Sequence, residues 1–180
     1  MQNLFDSGGV TRIIWTGIIA KQGDEVVNQT GKRAEEIFET GFYCAESVVK
    51  AIALQNGVDA DHLTAIATGF CSGMARSSQV CGAVTGAIMG LGLIFGRKSS
   101  QDSTDLCYEA TQDFIEGFRK QHGSINCREL IGLDLGDEKE LAKFISENPG
   151  FETCKAFSAN AASLAQEIID QNKGILEKQG

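Results

Sequence analysis

The sequence predicts an all-α fold, a compact single-domain helical bundle of about six to eight helices. Three observations lead there. The chain of 180 residues contains one proline, Pro149. Stretches of alternating apolar and polar residues are scarce. Apolar residues recur at intervals of three and four along most of the chain, which places them on single helix faces. The length, with an apolar content of 42%, suffices for one buried core.

The elements follow in order. Helices are predicted over 10–21 and 24–40, the second stopped by Gly41, whose place just past the last apolar position suits a C-terminal cap. A helix over 44–56 ends at Gly57. Another over 61–70 runs into the loop CSGMARSSQ. The central helix spans 81–96. The segment 103–122 is the clearest amphipathic stretch, because Leu106, Ala110, Phe114 and Phe118 recur at four residues and Gly123 terminates it. Shorter helices over 127–131 and 137–146 lead to a final one over 153–172.

Apart from Arg76, residues 65–96 are uncharged, which raises the question of a membrane span. The apolar run 80–96 sits at the lower limit of spanning length, and its glycines weaken its transfer energy further. A buried helix with no membrane span is therefore predicted. Gly82, Gly86 and Gly90 share one face of it, where missing side chains let another backbone or a bulky ligand approach. Sixteen basic residues against twenty-four acidic ones leave a net charge of −8, and nucleic acid as a partner is excluded on that balance. Near the start, the apolar patch 13–20 has Asp6 where a signal peptide has its basic region, and no A-x-A pattern follows. A cytoplasmic location is expected.

Six cysteines are present: Cys44, Cys71, Cys81, Cys107, Cys127 and Cys154. None forms C-x-x-C, so a shared site has to be assembled by the fold. Cys44, Cys81, Cys127 and Cys154 each fall near the start of a predicted helix, after cap-like residues such as Ser78, Asn126 and Thr153. Unsatisfied N–H groups at a helix start favour thiolate over thiol, and hence nucleophilicity or metal ligation. The same four thiols face inward: Cys81 shares a seam with Val84, Ile88, Leu91 and Phe95, and Cys154 with Phe157, Ala161, Leu164 and Ile168. Cys81 is expected to be the most activated thiol, with Arg76 and Ser77 nearby in sequence. Cys71 and Cys107 lack this placement and read as core or incidental, although the short loop from Cys71 to Cys81 is able to bring those two together.

These residues carry a resemblance. The chain is similar to the redox-active protein family labelled C_GCAxxG_C_C, through Cys44 in AEEIFETGFYCAESVV, Cys81, Gly82, Ala83 and Gly86 in VCGAVTGAIMGLG, Cys127 in INCRELIGLD, and Cys154 in FETCKAFSANAA. The cysteine here precedes the first glycine, in the opposite order to the label. The resemblance covers about residues 34–170, which makes 1–33 an N-terminal helical extension and 34–180 the cysteine-motif domain. It implies redox chemistry or an iron–sulfur cluster at the four cysteines, with a redox partner protein.

Other chemistry is thin. His62 and His122 lie in separate predicted helices, and no P-loop or metalloprotease motif occurs. Arg76 and Arg128 stand near cysteines in sequence and are candidates for stabilising thiolate or cluster charge. The site therefore comprises Cys44, Cys81, Cys127 and Cys154 as catalytic thiols or metal ligands, with Gly82, Gly86 and Arg76 lining a cofactor. Two redox mechanisms are open: dithiol/disulfide exchange, or an iron–sulfur cluster that passes electrons. A non-catalytic helical module with core cysteines or structural zinc is the alternative from another class.

Overall fold

In a computed structural model, residues 27–147 and 149–176 are described. The helix predicted over 10–21 lies outside them. Among the described residues there are eight right-handed α-helices: α1 (Gln29–Glu39), α2 (Cys44–Gln55), α3 (Asp61–Ala67), α4 (Gly82–Phe95), α5 (Asp105–His122), α6 (Cys127–Ile131), α7 (Glu138–Glu147) and α8 (Pro149–Leu176). A 3₁₀ turn, Thr68–Phe70, and a helical turn, Cys71–Arg76, join α3 to α4. The β structure in these residues is one antiparallel bridge, Val80 to Asn126.

Local chemistry explains most boundaries. The Asn28 side chain accepts N–H bonds from Thr30 and Gly31 at 3.0 and 3.1 Å, so α1 begins at residue 29 and not at 24 as predicted. The stops at Gly57, Gly123 and Gly132 have φ of +70°, +81° and +70°, a conformation that glycine adopts without a Cβ clash. Pro149 opens α8, four residues earlier than the predicted start, because its fixed φ suits the first helical position.

Helix α2 lies at the centre, packed against α1, α4 and α8. Its Ala45, Val48, Val49, Ala51 and Ile52 are fully buried. The glycine face of α4 makes this packing possible. A Cβ on Gly86 would stand 2.6 Å from Ala45 O, and one on Gly90 2.5 Å from Ile52 Cδ1, so what this face admits is α2, its backbone at Ala45 and its side chain at Ile52. Phe114 and Phe118 of α5 and Ile168 and Ile169 of α8 complete the core, each contributing about 1.5–3 kcal/mol through burial. Among the described residues, no helix is long and apolar enough to cross a membrane, and α4 has 14 residues.

Candidate functional site

Cys44, Cys81, Cys127 and Cys154, scattered over 111 positions of sequence, line one cavity of about 60 Å³. They come from four elements. Cys44 is the first residue of α2, Cys81 is the N-cap of α4, Cys127 opens α6, and Cys154 sits more than a turn inside α8. The earlier start of α8 removes Cys154 from the predicted helix terminus. Aromatic and aliphatic side chains, among them Phe38, Phe144, Leu135 and Ile131, form the wall. Tyr43 and Phe151 also line it and are 54% and 37% exposed, so the cavity meets solvent on their side. Cys107 lies in α5, outside this lining.

Two backbone bonds hold the segments before α4 and α6 together: Cys81 N–H donates to Ile125 O at 2.8 Å, and Cys127 N–H to Gln79 O at 2.7 Å. The chain reaches Gln79 through an unusual path. Ser72, Gly73, Met74 and Ala75 have φ of +55°, +66°, +66° and +54°, and Arg76 and Ser78 have +66° and +57°. Cys71–Arg76 is thus a left-handed turn built largely from residues that bear a Cβ, at about 1–2 kcal/mol each. Tertiary bonds hold it. The Ser78 hydroxyl donates to Asp134 Oδ1 and accepts from Leu135 N–H, both at 2.8 Å, so Ser78 fastens the turn to the α6–α7 loop and does not cap α4. Gly73 allows the close fit, since a Cβ there would lie 2.6 Å from Cys127 Cβ.

This turn sets Cys71 beside Cys44. A Cβ on Gly82 would be 2.2 Å from Cys44 Sγ and 3.2 Å from Cys71 Cα, so both cysteines meet over the same glycine. The Cys71 thiol donates to Ala67 O at 3.7 Å, and Cys71 is the neighbour that acts most strongly on the Cys44 thiol. Glu46 clamps the pair from α2: its carboxylate accepts from Tyr43 N–H at 2.7 Å and from the Thr68 hydroxyl at 2.6 Å, tying the 3₁₀ turn before Cys71 to the start of α2. From α4, the Thr85 hydroxyl reaches Phe70 O at 3.5 Å.

The electrostatics separate the thiols. The Cys71 hydrogen bond outweighs burial and, with backbone N–H groups of Ser72, Ala45 and Cys44, holds Cys44 down at about 7. Cys71 is pushed far above the ordinary thiol range by that same hydrogen bond, by burial and by the charge on Cys44. The first proton of the pair is thus lost near neutrality and the second is retained. Burial raises Cys81, with the Cys44 charge next, and the amides of Ala83 and Val84 offset only part of this. Burial and Cys44 push Cys127 up to about 11. Cys154 is raised by burial and then by Cys44, Cys81 and Cys127.

The structure therefore corrects the expectation that Cys81 is the most activated thiol: at 5% exposure, desolvation overrides its helix terminus. The thiol that is lowered is Cys44, and Cys71, read from sequence as core or incidental, lies beside it. Gly82 lines the cavity, whereas Gly86 packs on α2 away from it. Arg76 is exposed and contributes to none of the thiol shifts; the left-handed turn carries it outward. Arg128 pairs with Asp134 at 3.1 Å, with its side chain 64% exposed. His122 packs between Phe118 and Phe157, with ring centroids at 4.4 and 5.0 Å. Glu46 and Thr68 were not singled out in the sequence, where a capping-box Glu three residues after Tyr43 is the available signal.

Among the described residues, no three His, Cys, Asp or Glu side chains are grouped as they would be around a metal ion. The four thiols nevertheless share one cavity, and four cysteines are a donor set of the kind that holds an iron–sulfur cluster.

An all-α protein with a cysteine-lined cavity is the class that this fold and site define. The chain belongs to the family described as "Putative redox-active protein (C_GCAxxG_C_C)", which it matches over residues 42–168. No curated protein and no solved structure matches it significantly.

Proposed function

We propose that the protein is a thiol-based redox protein working by dithiol/disulfide exchange, with Cys44 as the attacking thiolate. The observation that carries this reading is the Cys44 thiol, held down at about 7 inside a cavity shared with three further cysteines. A thiol that ionises near ambient pH combines a large thiolate fraction with retained nucleophilicity, the optimum for attack on a disulfide. The raised, protonated neighbours keep the cavity from accumulating negative charge while one thiolate works.

Residue-resolved alkylation of the reduced protein, read by mass spectrometry from pH 5 to 11, tests the assignment. The Cys44 rate should level off just above pH 7, while Cys81, Cys127 and Cys154 still climb beyond pH 9. A Cys44 rate that climbs in step with Cys81 would overturn it. Iron and acid-labile sulfide in stoichiometric amounts after anaerobic purification would replace exchange by cluster chemistry.

A further inference from the structure

We infer that Cys71, which lies outside the four-cysteine pattern, closes a disulfide with Cys44, making Cys44–Cys71 the redox couple of this chain and small uncharged disulfides its substrates. The inference rests on the proposed exchange chemistry and adds the resolving thiol and the substrate class.

Position favours Cys71, which lies behind the cavity lining, over Cys81, Cys127 and Cys154 within it. Cys71 is the neighbour that acts most strongly on the Cys44 thiol, whereas for Cys81, Cys127 and Cys154 the Cys44 charge ranks behind burial. Both members of the pair abut Gly82, and the clamp of Glu46 on Thr68 fixes the turn that carries Cys71. The S–H of Cys71 donates to Ala67 O at 3.7 Å, and turning it to the adjacent Cys44 sulfur would stabilise the thiolate.

The chemistry balances as follows. The Cys44 thiolate attacks one sulfur of a disulfide R–S–S–R; the S–S bond breaks, RS⁻ leaves and takes a proton from water, and Cys44–S–S–R forms. This removes the negative charge on Cys44, one of the causes that hold the Cys71 proton. Cys71 then releases that proton to water and attacks Cys44 Sγ, forming the Cys44–Cys71 bond and expelling the second RS⁻, which is protonated in turn. Two protein thiols are oxidised to one disulfide, and the substrate gains two electrons and two protons as two RSH. The cavity of about 60 Å³, walled by Phe38, Phe144 and Leu135, suits a compact uncharged R group.

The test treats reduced full-length protein with 2-hydroxyethyl disulfide and maps disulfides under non-reducing conditions. The wild-type protein should yield a peptide pair joined through Cys44 and Cys71, and the C81S, C127S and C154S variants should yield the same pair. C71S should stop at a hydroxyethylthio adduct on Cys44. A wild-type map joining Cys44 to Cys81, Cys127 or Cys154 would overturn the inference while leaving Cys44 as nucleophile. Absence of both crosslink and adduct at Cys44, in wild type and C71S alike, would instead overturn the exchange reading. The wild-type map decides the pairing even if C71S fails to fold.

Discussion

Replacing Gly82 by alanine places a methyl group where α4 meets both members of the thiol pair. Its Cβ would lie 2.2 Å from Cys44 Sγ, and 3.2 Å from Ala45 N and Cys71 Cα. Ordinary contact begins near 3.4 Å, so the sulfur has to retreat by about 1.2 Å, or the helices have to part, in a core packed without slack. Overpacking of this kind costs about 1–3 kcal/mol, offset by about 0.5–1 kcal/mol from the better helix propensity of alanine. The same retreat takes Cys44 away from Cys71, the largest cause of its lowering, and returns it toward 9, its ordinary value. At pH 7 the thiolate fraction then falls from about one half to about one hundredth, while a thiolate two units more basic is about six to ten times more nucleophilic. Alkylation of Cys44 should therefore slow about fivefold to eightfold at pH 7 and quicken about sixfold to tenfold above pH 10, so the two pH–rate curves cross. Gly92 is the control on the same helix: a Cβ there meets nothing within 4 Å, and G92A should be neutral or slightly stabilising. Urea unfolding and Cys44 pH–rate profiles of the three proteins check this. A G82A curve that superimposes on the wild-type one, with stability unchanged as in G92A, would refute the role assigned to the contact.

The left-handed turn gives a paired prediction: G73A, with φ of +66° and a Cβ 2.6 Å from Cys127 Cβ, should lose about 2–4 kcal/mol, whereas A75G, at an exposed residue with φ of +54°, should gain about 0.5–1 kcal/mol, both read from urea midpoints. Stability should also vary with pH in two directions. Cys44 titrates lower in the folded than in the unfolded chain, so its contribution is present above pH 9 and is lost as pH falls through about 7, with a size of up to about 2–3 kcal/mol. Cys127 is raised from 9 to about 11, so unfolding is favoured as pH climbs through that window, and the raised Cys71, Cys81 and Cys154 act in the same sense. Chemical denaturation from pH 6 to 11 under reducing conditions should show a maximum near pH 9, and C44S should flatten the rising limb.

By itself the sequence determined the all-α class, the order of the described helices and most of their ends. Those depend on neighbours along the chain: Gly57, Gly123 and Gly132 each supply the positive φ at which a helix stops, and Leu106, Ala110, Phe114 and Phe118 recur on one face. The four spaced cysteines and the C-G-A-x-x-G run were legible in the same way, as a pattern, and so was the family. Only the tertiary structure decided that Cys44, and not Cys81, is the lowered thiol and that Cys71 lies beside it. A helix start was visible at Cys81 as well as at Cys44, but the burial that opposes ionisation at Cys81 is a sum over residues brought in from α2, α6 and α8. The contact of Cys71 with Cys44 was hidden for a sharper reason. It depends on a left-handed turn through Ser72, Met74, Ala75 and Arg76, residue types whose intrinsic preference is for right-handed backbone, and that turn persists because Ser78, Gln79 and Cys81 are bonded to segments more than forty residues away.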